Sequence, residues 1–278
     1  MDSREQALAA VAAGRVRVAG SDVVKASTLV APDQSIELVG EPPRFVGRGG
    51  EKLDAALDRF GLDVRGRRAL DAGASTGGFS DCLLRRGAGA VVAVDVGKGQ
   101  LHARVRDDPR VEVRDATNVR HLGLDDVGGA PFDVIVADLS FISLRTVAPV
   151  LAGELAAPGS DVVALVKPQF EVGRREASRG RGVIRDPALW LQAVEGVCDA
   201  FGQAGAAMID VMVSPLRGAD GNVEFMVHGR AHSAGTGGAG TQAGAGPDID
   251  GAVQEAAAMA GPLGAAAPTS ATAKGNGD

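Results

Sequence analysis

Between residues 67 and about 229, short apolar runs rich in Val, Ile and Ala alternate with segments of helical spacing. Such runs, bounded by Gly, Asp and Pro, indicate strands that are buried on both faces. The predicted strands are 68–71, 90–95, 111–114, 132–138, 161–167, 208–214 and 223–227, and the predicted helices are 78–86, 101–106, 144–156 and 187–204. This order predicts an α/β fold with a parallel sheet, in which the closely spaced last two strands favour an antiparallel final strand.

Four regions are predicted along the chain: 1–40, 41–66, 67–230 and 231–278. In the first, Ser3 and Gln6 indicate a capping box for a helix that ends before Gly14, and short strands follow at 16–18 and 36–39. Residues 41–66 are predicted as a linker and a leading helix, and 67–230 as the sheet domain. The tail, 231–278, contains 15 Ala and 11 Gly among 48 residues, so we expect it to be disordered.

The composition limits the partners that the protein can bind and indicates its cellular compartment. The 278 residues carry a formal net charge of −6, so any contact with nucleic acid must come from local basic patches. The two cysteines, Cys82 and Cys198, are too far apart in the sequence for a zinc motif and too few for a disulfide framework, which favours a reducing cytoplasm. The four His show no metal-ligand spacing, and no apolar run approaches the length of a membrane helix. We therefore expect neither a metal nor a membrane partner.

A glycine-rich loop follows the first strand of the sheet domain. Gly73, Gly77 and Gly78 allow a sharp turn and close approach of a ligand, and Asp95 ends the next strand, where it can accept hydrogen bonds from ribose hydroxyls. The spacing differs from the GxGxxG of nicotinamide sites, and no Lys follows as in a P-loop. Asp71 at the start of the loop suits a cationic ligand, which favours S-adenosylmethionine. A tight turn without a ligand is the alternative.

Several motifs resemble the TlyA group of rRNA 2′-O-methyltransferases, some of which carry the older label of haemolysin. They are 70–79, 95–97, 136–143, 166–173, 214–216 and 221–224. The resemblance covers roughly residues 3–229. It implies a class I, Rossmann-like methyltransferase domain related to the FtsJ type, preceded by a partial S4-like RNA-binding domain at 1–40. It also implies S-adenosylmethionine as cofactor, bound by Asp71, Gly73, Ala74, Ser75, Thr76, Gly77, Gly78, Phe79, Asp95, Val96 and Asp138.

Four charged residues, Lys52, Asp138, Lys167 and Glu224, are the candidate catalytic set, because strand carboxyl ends converge on one crevice in such sheets. The resemblance assigns a Lys-Asp-Lys-Glu set to 2′-O-methyl transfer on cytidine of 16S or 23S rRNA. A ribose hydroxyl must lose its proton as it attacks the methyl carbon. Lys167 can act as the base if its amine is neutral, or as an ammonium that stabilises the developing alkoxide, and Lys52 assists.

Candidate RNA contacts are basic side chains in three segments, with rRNA or ribosomal subunits as the expected partner. They are Arg4, Arg15 and Lys25 in the first region, Arg48 near the linker, and Arg174, Arg175, Arg179 and Arg181 in a predicted loop after Lys167. That loop can equally be a solvated surface. Residues 139–141, Leu-Ser-Phe, replace the prolyl-prolyl-aromatic run of amino-directed methyltransferases, which favours a hydroxyl acceptor.

The placement of three phenylalanine side chains can also be predicted. We expect Phe79, Phe141 and Phe170 in the core, although Phe141 or Phe170 can also pack on adenine or on a base.

The alternatives to the methyltransferase are an NAD-binding oxidoreductase, a membrane-acting haemolysin without enzymatic activity, and an RNA-binding module with an inactive enzyme domain.

Overall fold

A computed structural model describes residues 7–8, 10–11, 14–23, 25–41, 43–232 and 246–260 of the chain. It separates into two compact units, Met1–Arg44 and Phe45–Asp278. In the first unit, residues 7–8 and 10–11 are helical and Gly14 follows in the left-handed conformation, with φ +65°. The predicted capping residues Ser3 and Gln6 lie outside the described residues.

The first unit contains a small antiparallel sheet. Its strands are β1 (Val16–Val18), β2 (Ser21–Asp22) and β3 (Ile36–Leu38), in the order β2-β1-β3. Ala10, Val16 and Val23 form its buried cluster. Three buried side chains are a very small core, in agreement with the expectation that this segment is too short to bury much apolar surface.

The second unit contains a seven-stranded sheet among its described residues. The strands are β4 (Arg68–Ala72), β5 (Ala90–Val94), β6 (Val111–Arg114), β7 (Phe132–Ala137), β8 (Ala156–Val166), β9 (Ala206–Val213) and β10 (Phe225–Ala231). Their order is β6-β5-β4-β7-β8-β10-β9. The pairs from β6 to β8 are parallel, whereas β10 is antiparallel to both β8 and β9, as predicted. The order reverses at β4 and β7, where α/β sheets open a binding crevice.

Helices cover both faces of this sheet. They are α1 (Arg48–Arg59), α2 (Gly78–Arg85), α3 (Ala103–Arg106), α4 (Leu144–Ala148), α5 (Pro168–Glu171), α6 (Arg174–Arg179), α7 (Pro187–Gln203) and α8 (Ile249–Ala260). Alternate strand residues face opposite layers: Val134 and Val136 pack with α1 and α2, whereas Ile135 and Ala137 pack with α4 and α7. Cys82 and Cys198 are buried thiols in these layers. The two-sided burial explains why the strands are apolar at nearly every position.

Several predicted boundaries need correction. Helix α1 begins at Arg48, so Lys52 lies inside it and not before it. The predicted helix 144–156 is α-helical only to Ala148; Pro149 opens a π-helical segment to Glu154, because proline lacks the N–H that continues an α-helix. Strand β8 starts at Ala156, which pairs with Phe132 of β7, and β10 runs to Ala231, which pairs with Ala206 of β9.

The prediction of a disordered tail is wrong for residues 249–260. Helix α8 packs on α7 and β9, with Ala252, Val253 and Ala256 buried. Ala favours helix strongly, and small side chains allow close packing, so an Ala-rich segment can dock although its composition looks disordered. The other tail residues, 233–245 and 261–278, lie outside the described residues.

An ion cluster forms around Asp161 in the middle of β8. The buried Asp161 carboxylate accepts hydrogen bonds from Arg67 (2.6 Å) and Arg230 (3.0 Å) and lies 2.9 Å from Nε2 of His228. These partners hold the pKa of Asp161 well below its usual range, despite the opposing effect of burial. His228 therefore has a structural role in this cluster.

Substituting Val253→Asp tests the docking of α8. A buried carboxylate without a partner is costly, so we expect the unfolding free energy to fall by ~2 kcal/mol and the melting temperature by several degrees. Gln254→Asp introduces the same charge on the exposed side of the helix and should change the melting temperature little. Equal melting curves for both variants would show that α8 does not stabilise the folded unit.

Candidate functional site

The loop between β4 and α2 has the backbone of a ligand-binding turn. Gly73 and Gly77 have φ of +88° and +93°, and Ser75, with φ +47°, shares this left-handed conformation. A Cβ on Gly73 would lie 2.5 Å from the carbonyl oxygen of Asp138, so a side chain is excluded there. The predicted cofactor loop thus has direct contact with the end of β7.

Asp95 fixes this loop from the end of β5. Its Oδ2 accepts the N–H of Ser75 at 2.8 Å and its Oδ1 accepts the N–H of Gly97 at 2.7 Å. These bonds hold Ser75 in its uncommon conformation. Val96, beside it, is 71% exposed, which leaves an apolar side chain at the same edge for a ligand to cover.

Asp71 is the buried acid of the loop. Its Oδ2 accepts the hydroxyl of Ser80 at 2.6 Å, while its Oδ1 is buried without a hydrogen-bond partner among the described residues. Burial, with a smaller contribution from the Asp138 and Asp95 carboxylates, raises the pKa of Asp71 to about 7 against the lowering effect of Ser80. A cation placed against Asp71 would relieve this cost.

The amino end of α1 also belongs to this loop, a contact that we did not predict. A Cβ on Gly47 would lie 2.8 Å from Oγ1 of Thr76, and one on Gly50 would lie 2.9 Å from the carbonyl oxygen of Gly78. Gly49 faces the ring of Phe79, which is buried as predicted. Three glycines within four residues were the available signal, since close backbone approach requires glycine.

Asp115 is a further acid that we did not predict. It directly follows β6, and its Oδ2 accepts the N–H of Gly99 at 2.8 Å. Its signal was the same as that of Asp95: an acid immediately after a predicted strand. Asp71, Asp95 and Asp115 therefore stand at the ends of three neighbouring strands.

Two ion pairs, one buried and one partly buried, contain the four candidate catalytic residues. Lys52 Nζ contacts Oε2 of Glu224, and the two side chains are 8% and 2% exposed. Lys167 Nζ lies 2.5 Å from Oδ1 of Asp138 and donates to Oγ of Ser140 at 3.0 Å. The predicted set is therefore arranged as two lysine–carboxylate pairs.

Strand register brings the two pairs to one edge. Val166 of β8 is opposite Phe225 of β10, so Lys167 and Glu224 flank the last bridged residues on adjacent strands. Gly49 lies one turn before Lys52 on α1, and a Cβ on it would be 3.7 Å from Oδ2 of Asp138. Both pairs thus lie beside the cofactor loop, as strand-end convergence predicts.

The loop after Asp138 differs from expectation. Phe141 is 93% exposed and has φ +65°, so its prediction as a core residue is wrong. A left-handed residue at the tip of a loop directs its side chain away from the sheet. Its ring lies 5.3 Å from that of the half-buried Phe170, in a tilted arrangement. This exposed aromatic pair stands within a few residues of Asp138 and Lys167.

The candidate RNA-binding residues have different placements. Residues 174–179, predicted as part of a loop, form helix α6, in which Arg175 is exposed; the side chains of Arg174 and Arg179 lie outside the described set, as does Arg4. Arg181 is also exposed, with φ +51°. In the first unit Lys25 is exposed, and Arg15 is half-buried and donates to the carbonyl oxygen of Val39.

Asn222 and Arg48 hold the loops around these arginines. Asn222 Oδ1 accepts the N–H of Ile184, and its Nδ2 donates to the carbonyl oxygen of Gly182, which fixes the end of the segment that carries Arg181. The exposed Arg48 donates to the carbonyl oxygen of Arg217, in the loop that precedes Glu224. Three exposed arginines therefore lie on segments next to the ion pairs.

The described residues contain no group of three or more His, Cys, Asp or Glu side chains able to hold a metal ion. None of the helices they form is both long enough and apolar enough to cross a membrane.

Comparison with protein families identifies the fold. The model of the FtsJ-like methyltransferases matches residues 45–231, which include the entire sheet and all four residues of the ion pairs. The chain belongs to the FtsJ-like methyltransferase family. This membership confirms the predicted Rossmann-like methyltransferase fold.

Individual relatives place the chain in the TlyA group of this FtsJ-like family, as the sequence motifs predicted. It is 48% identical over 226 residues to the 16S/23S rRNA (cytidine-2′-O)-methyltransferase TlyA of Mycobacterium tuberculosis, covering 81% of this chain and 83% of that protein. It is 37% identical over 230 residues to hemolysin A of Brachyspira hyodysenteriae, covering 82% and 93%. A solved structure named as a hemolysin, from Lactococcus lactis, has 38% identity and a TM-score of 0.71, covering 77% of this chain and 99% of that one.

The loop fits the cofactor that FtsJ-like methyltransferases use, S-adenosylmethionine. This ligand carries an ammonium and a sulfonium, and the site offers the unpaired Oδ1 of Asp71 together with the carboxylates of Asp95 and Asp115. Residues 72–79 contain no basic side chain, so a diphosphate would meet acids without a compensating cation. The donor set therefore suits a cationic adenosyl ligand.

We expect Asp71 to make cofactor affinity depend on pH. Only the charged carboxylate attracts the ligand ammonium, so below the pKa of about 7 we expect affinity to fall by up to about tenfold per pH unit. Calorimetric titration with S-adenosylmethionine between pH 5.5 and 8.5 measures this. Asp71→Asn keeps the acceptor for Ser80, and it should bind weakly with no step near pH 7.

The same group affects stability in the opposite direction. Its pKa is higher in the folded protein than the ordinary 3.8, so the folded state takes up the proton first. The contribution of Asp71 to the stability of the ligand-free protein therefore decreases as pH rises from about 4 to 7. A cofactor affinity that was constant from pH 6 to 8 would contradict this account of Asp71.

Proposed function

We propose that this chain transfers a methyl group from S-adenosylmethionine to the 2′-hydroxyl of cytidine in 16S or 23S rRNA. The observation that carries this proposal is the pair of lysine–carboxylate contacts, one buried and one partly buried, beside the acidic, glycine-rich loop. The names of the TlyA relatives support the substrate. Family membership favours this activity over the oxidoreductase alternative.

In this proposal the acidic strand ends hold the cofactor. Asp71 attracts the ammonium, the loop backbone approaches the ligand, and Asp95 accepts hydrogen bonds from the ribose, whose adenine covers Val96. When bound, S-adenosylmethionine supplies an electrophilic methyl group on a sulfonium. Since the transfer is an in-line displacement, positioning of the attacking oxygen contributes much of the rate.

Lys167 acts as an ammonium that stabilises charge on the attacking oxygen, and the proton of the hydroxyl passes to solvent water as the oxygen bonds to the methyl carbon and the methyl–sulfur bond breaks. An ammonium has three N–H donors. One is donated to Ser140, and the amine also forms an ion pair with Asp138, so a donor remains for the sugar hydroxyl. The adjacent Asp138 carboxylate stabilises the positive charge of Lys167, so of the two roles open from the sequence we favour charge stabilisation over base catalysis.

Lys52 supplies a second positive charge near the sugar. Its partner Glu224 is almost fully buried, and the pair is fixed between α1 and the turn before β10. Breaking such a pair leaves a buried charge without compensation, so the geometry of Lys52 is rigid. We assign it an assisting role in orienting the hydroxyl.

Substrate RNA is held by aromatic and basic side chains. The exposed ring of Phe141 stacks on the base of the target nucleotide after it is flipped out of the RNA structure. Phosphates near the site are bound by Arg48, Arg175 and Arg181. Because the net charge of the chain is −6, only local basic patches can attract the RNA. The first unit is an S4-like module that adds Arg4, Arg15 and Lys25. Because ribosomal subunits are the substrate, we expect the enzyme in the cytoplasm.

The decisive experiment is tritiated methyl transfer to small subunits, large subunits and free rRNA. Wild-type protein should label at least one of them, and Lys167→Met should reduce kcat by at least about a hundredfold while cofactor affinity stays within about twofold. Lys98→Met changes an exposed lysine in the same way and should retain activity. Nuclease mapping of the product should place the methyl group on a cytidine ribose.

Two outcomes would reject the assignment. Equal labelling by Lys167→Met would remove Lys167 from the mechanism. Purified protein that releases dye from liposomes without S-adenosylmethionine, and labels no RNA, would favour the membrane-acting alternative.

The arginines predict a salt-dependent loss of RNA binding. Each phosphate contact contributes about one counterion to the salt dependence. Combining Arg175→Ala with Arg181→Ala should therefore weaken RNA binding and reduce the slope of log affinity against log salt by about 1.5 to 2. Arg106→Ala, which removes an arginine paired with Asp107, serves as a matched control. An unchanged slope in the double variant would show that the two arginines belong to a solvated surface.

A further inference from the structure

Glu171 joins two segments that carry functional side chains. It is the last residue of α5, the helical turn that follows Lys167. Its Oε2 accepts the hydroxyl of Ser143 at 2.5 Å, and its Oε1 accepts the N–H of Leu144 at 2.8 Å. Both donors lie at the start of α4, at the end of the loop formed by residues 139–143. One carboxylate therefore ties that loop to the helix after Lys167.

Capping of α4 does not explain this carboxylate. Ser143 is already the N-cap of α4, since its Oγ accepts the N–H of Arg145 at 3.2 Å. Burial raises the pKa of Glu171, which shows that its charge is costly where it stands, although its hydrogen bonds and Arg145 offset part of that cost. A costly carboxylate at a helix end that has its own cap points to a role in joining the segments.

The loop held by Glu171 is both strained and functional in position. Phe141 is left-handed with φ +65°, a conformation that persists in a non-glycine residue only when the surroundings hold it. Its ring is exposed, so packing contributes little restraint beyond the contact with Phe170. Ser140, the preceding residue, accepts a hydrogen bond from Nζ of Lys167. Movement of this loop would displace both side chains.

We propose that Glu171 is a positioning residue for methyl transfer. It fixes the loop 139–143, so that Ser140 aims the ammonium of Lys167 and Phe141 stays at the mouth of the site. This inference rests on the proposed function, because it assigns Glu171 a part in that reaction. Glu171 acts through Ser143 and Leu144 and does not touch the reacting atoms.

Kinetics of two variants and a control test this role. Glu171→Ala should lower kcat by about 10- to 100-fold, because small misplacement of reacting groups has effects of that size. Affinity for S-adenosylmethionine should stay within about twofold. Glu171→Gln retains one oxygen acceptor and should recover part of kcat. Glu195→Gln makes the same change at an exposed position of α7 and should match the wild type.

A double variant distinguishes positioning from general loss of structure. If Glu171 acts through Ser140, then Ser140→Ala combined with Glu171→Ala should lose less activity than the product of the two single effects. Multiplying effects would mean that the two residues act independently, and would overturn the proposed path through Ser140.

Chemical labelling of lysines gives a readout that needs no RNA. Lys167 is only 11% exposed, and its amine is held by Asp138 and Ser140. We expect acetic anhydride to acetylate Lys167 several-fold faster in Glu171→Ala, measured by peptide mass spectrometry against Lys98 as an internal reference. Lys52, paired with Glu224, should keep its rate.

The labelling experiment separates the two proposals. Wild-type protein that labels no RNA, together with faster acetylation of Lys167 in Glu171→Ala, would reject the function and retain the positioning of Lys167 by Glu171. Unchanged acetylation of Lys167, whether or not the wild type is active, would overturn the positioning role.

Discussion

The two lysine–carboxylate pairs, one buried and one partly buried, constrain the rest of the site. A charge removed from water is stable only when a partner of opposite sign lies against it. Lys52 and Glu224 are 172 residues apart in the chain, and Lys167 and Asp138 come from different strands, so the pairs form only when the whole sheet is assembled. Folding and construction of the site are therefore the same event. In the proposed function, the pairs supply two ammonium groups beside the sugar hydroxyl.

Close backbone approach is the second constraint, and it explains the glycines. Gly73 lies against the carbonyl of Asp138, while Gly47 and Gly50 lie against the loop at Thr76 and Gly78. The end of β4, the end of β7 and the start of α1 thus meet without intervening side chains. This contact links the cofactor loop directly to Asp138 and, through α1, to Lys52. Cofactor binding and the ion pairs consequently share one rigid framework.

Local pattern predicted those parts of the molecule that local physics determines. The apolar runs of β5 and β7 and the apolar spacing of α7 lie within short windows of sequence. The predicted bounds of these elements agree with the observed bounds to within a residue or two. The convergence of strand ends was enough to bring Asp138, Lys167 and Glu224 together. The pairing of Lys52 with Glu224, the exposure of Phe141 and the tether from Glu171 depend on contacts distant in sequence, so no local pattern shows them. Helix α8 was missed because docking, and not composition, stabilises its Ala-rich segment.

Sheet order also separates charge along the carboxyl edge. Asp71 lies at the end of β4, and Asp95 and Asp115 directly follow β5 and β6; these three strands form one half of the sheet. The exposed Arg175, Arg181 and Arg217 lie in the segments after β8 and β9, which form the other half. A cationic cofactor is attracted to the acidic half, and phosphate groups are repelled from it. In the proposed function, RNA therefore approaches from the basic half, and the two ion pairs lie where these opposite fields meet. In this way a protein with net negative charge can bind a polyanion beside a cation, because the screening length of about 8 Å at physiological salt makes the nearest charges decisive.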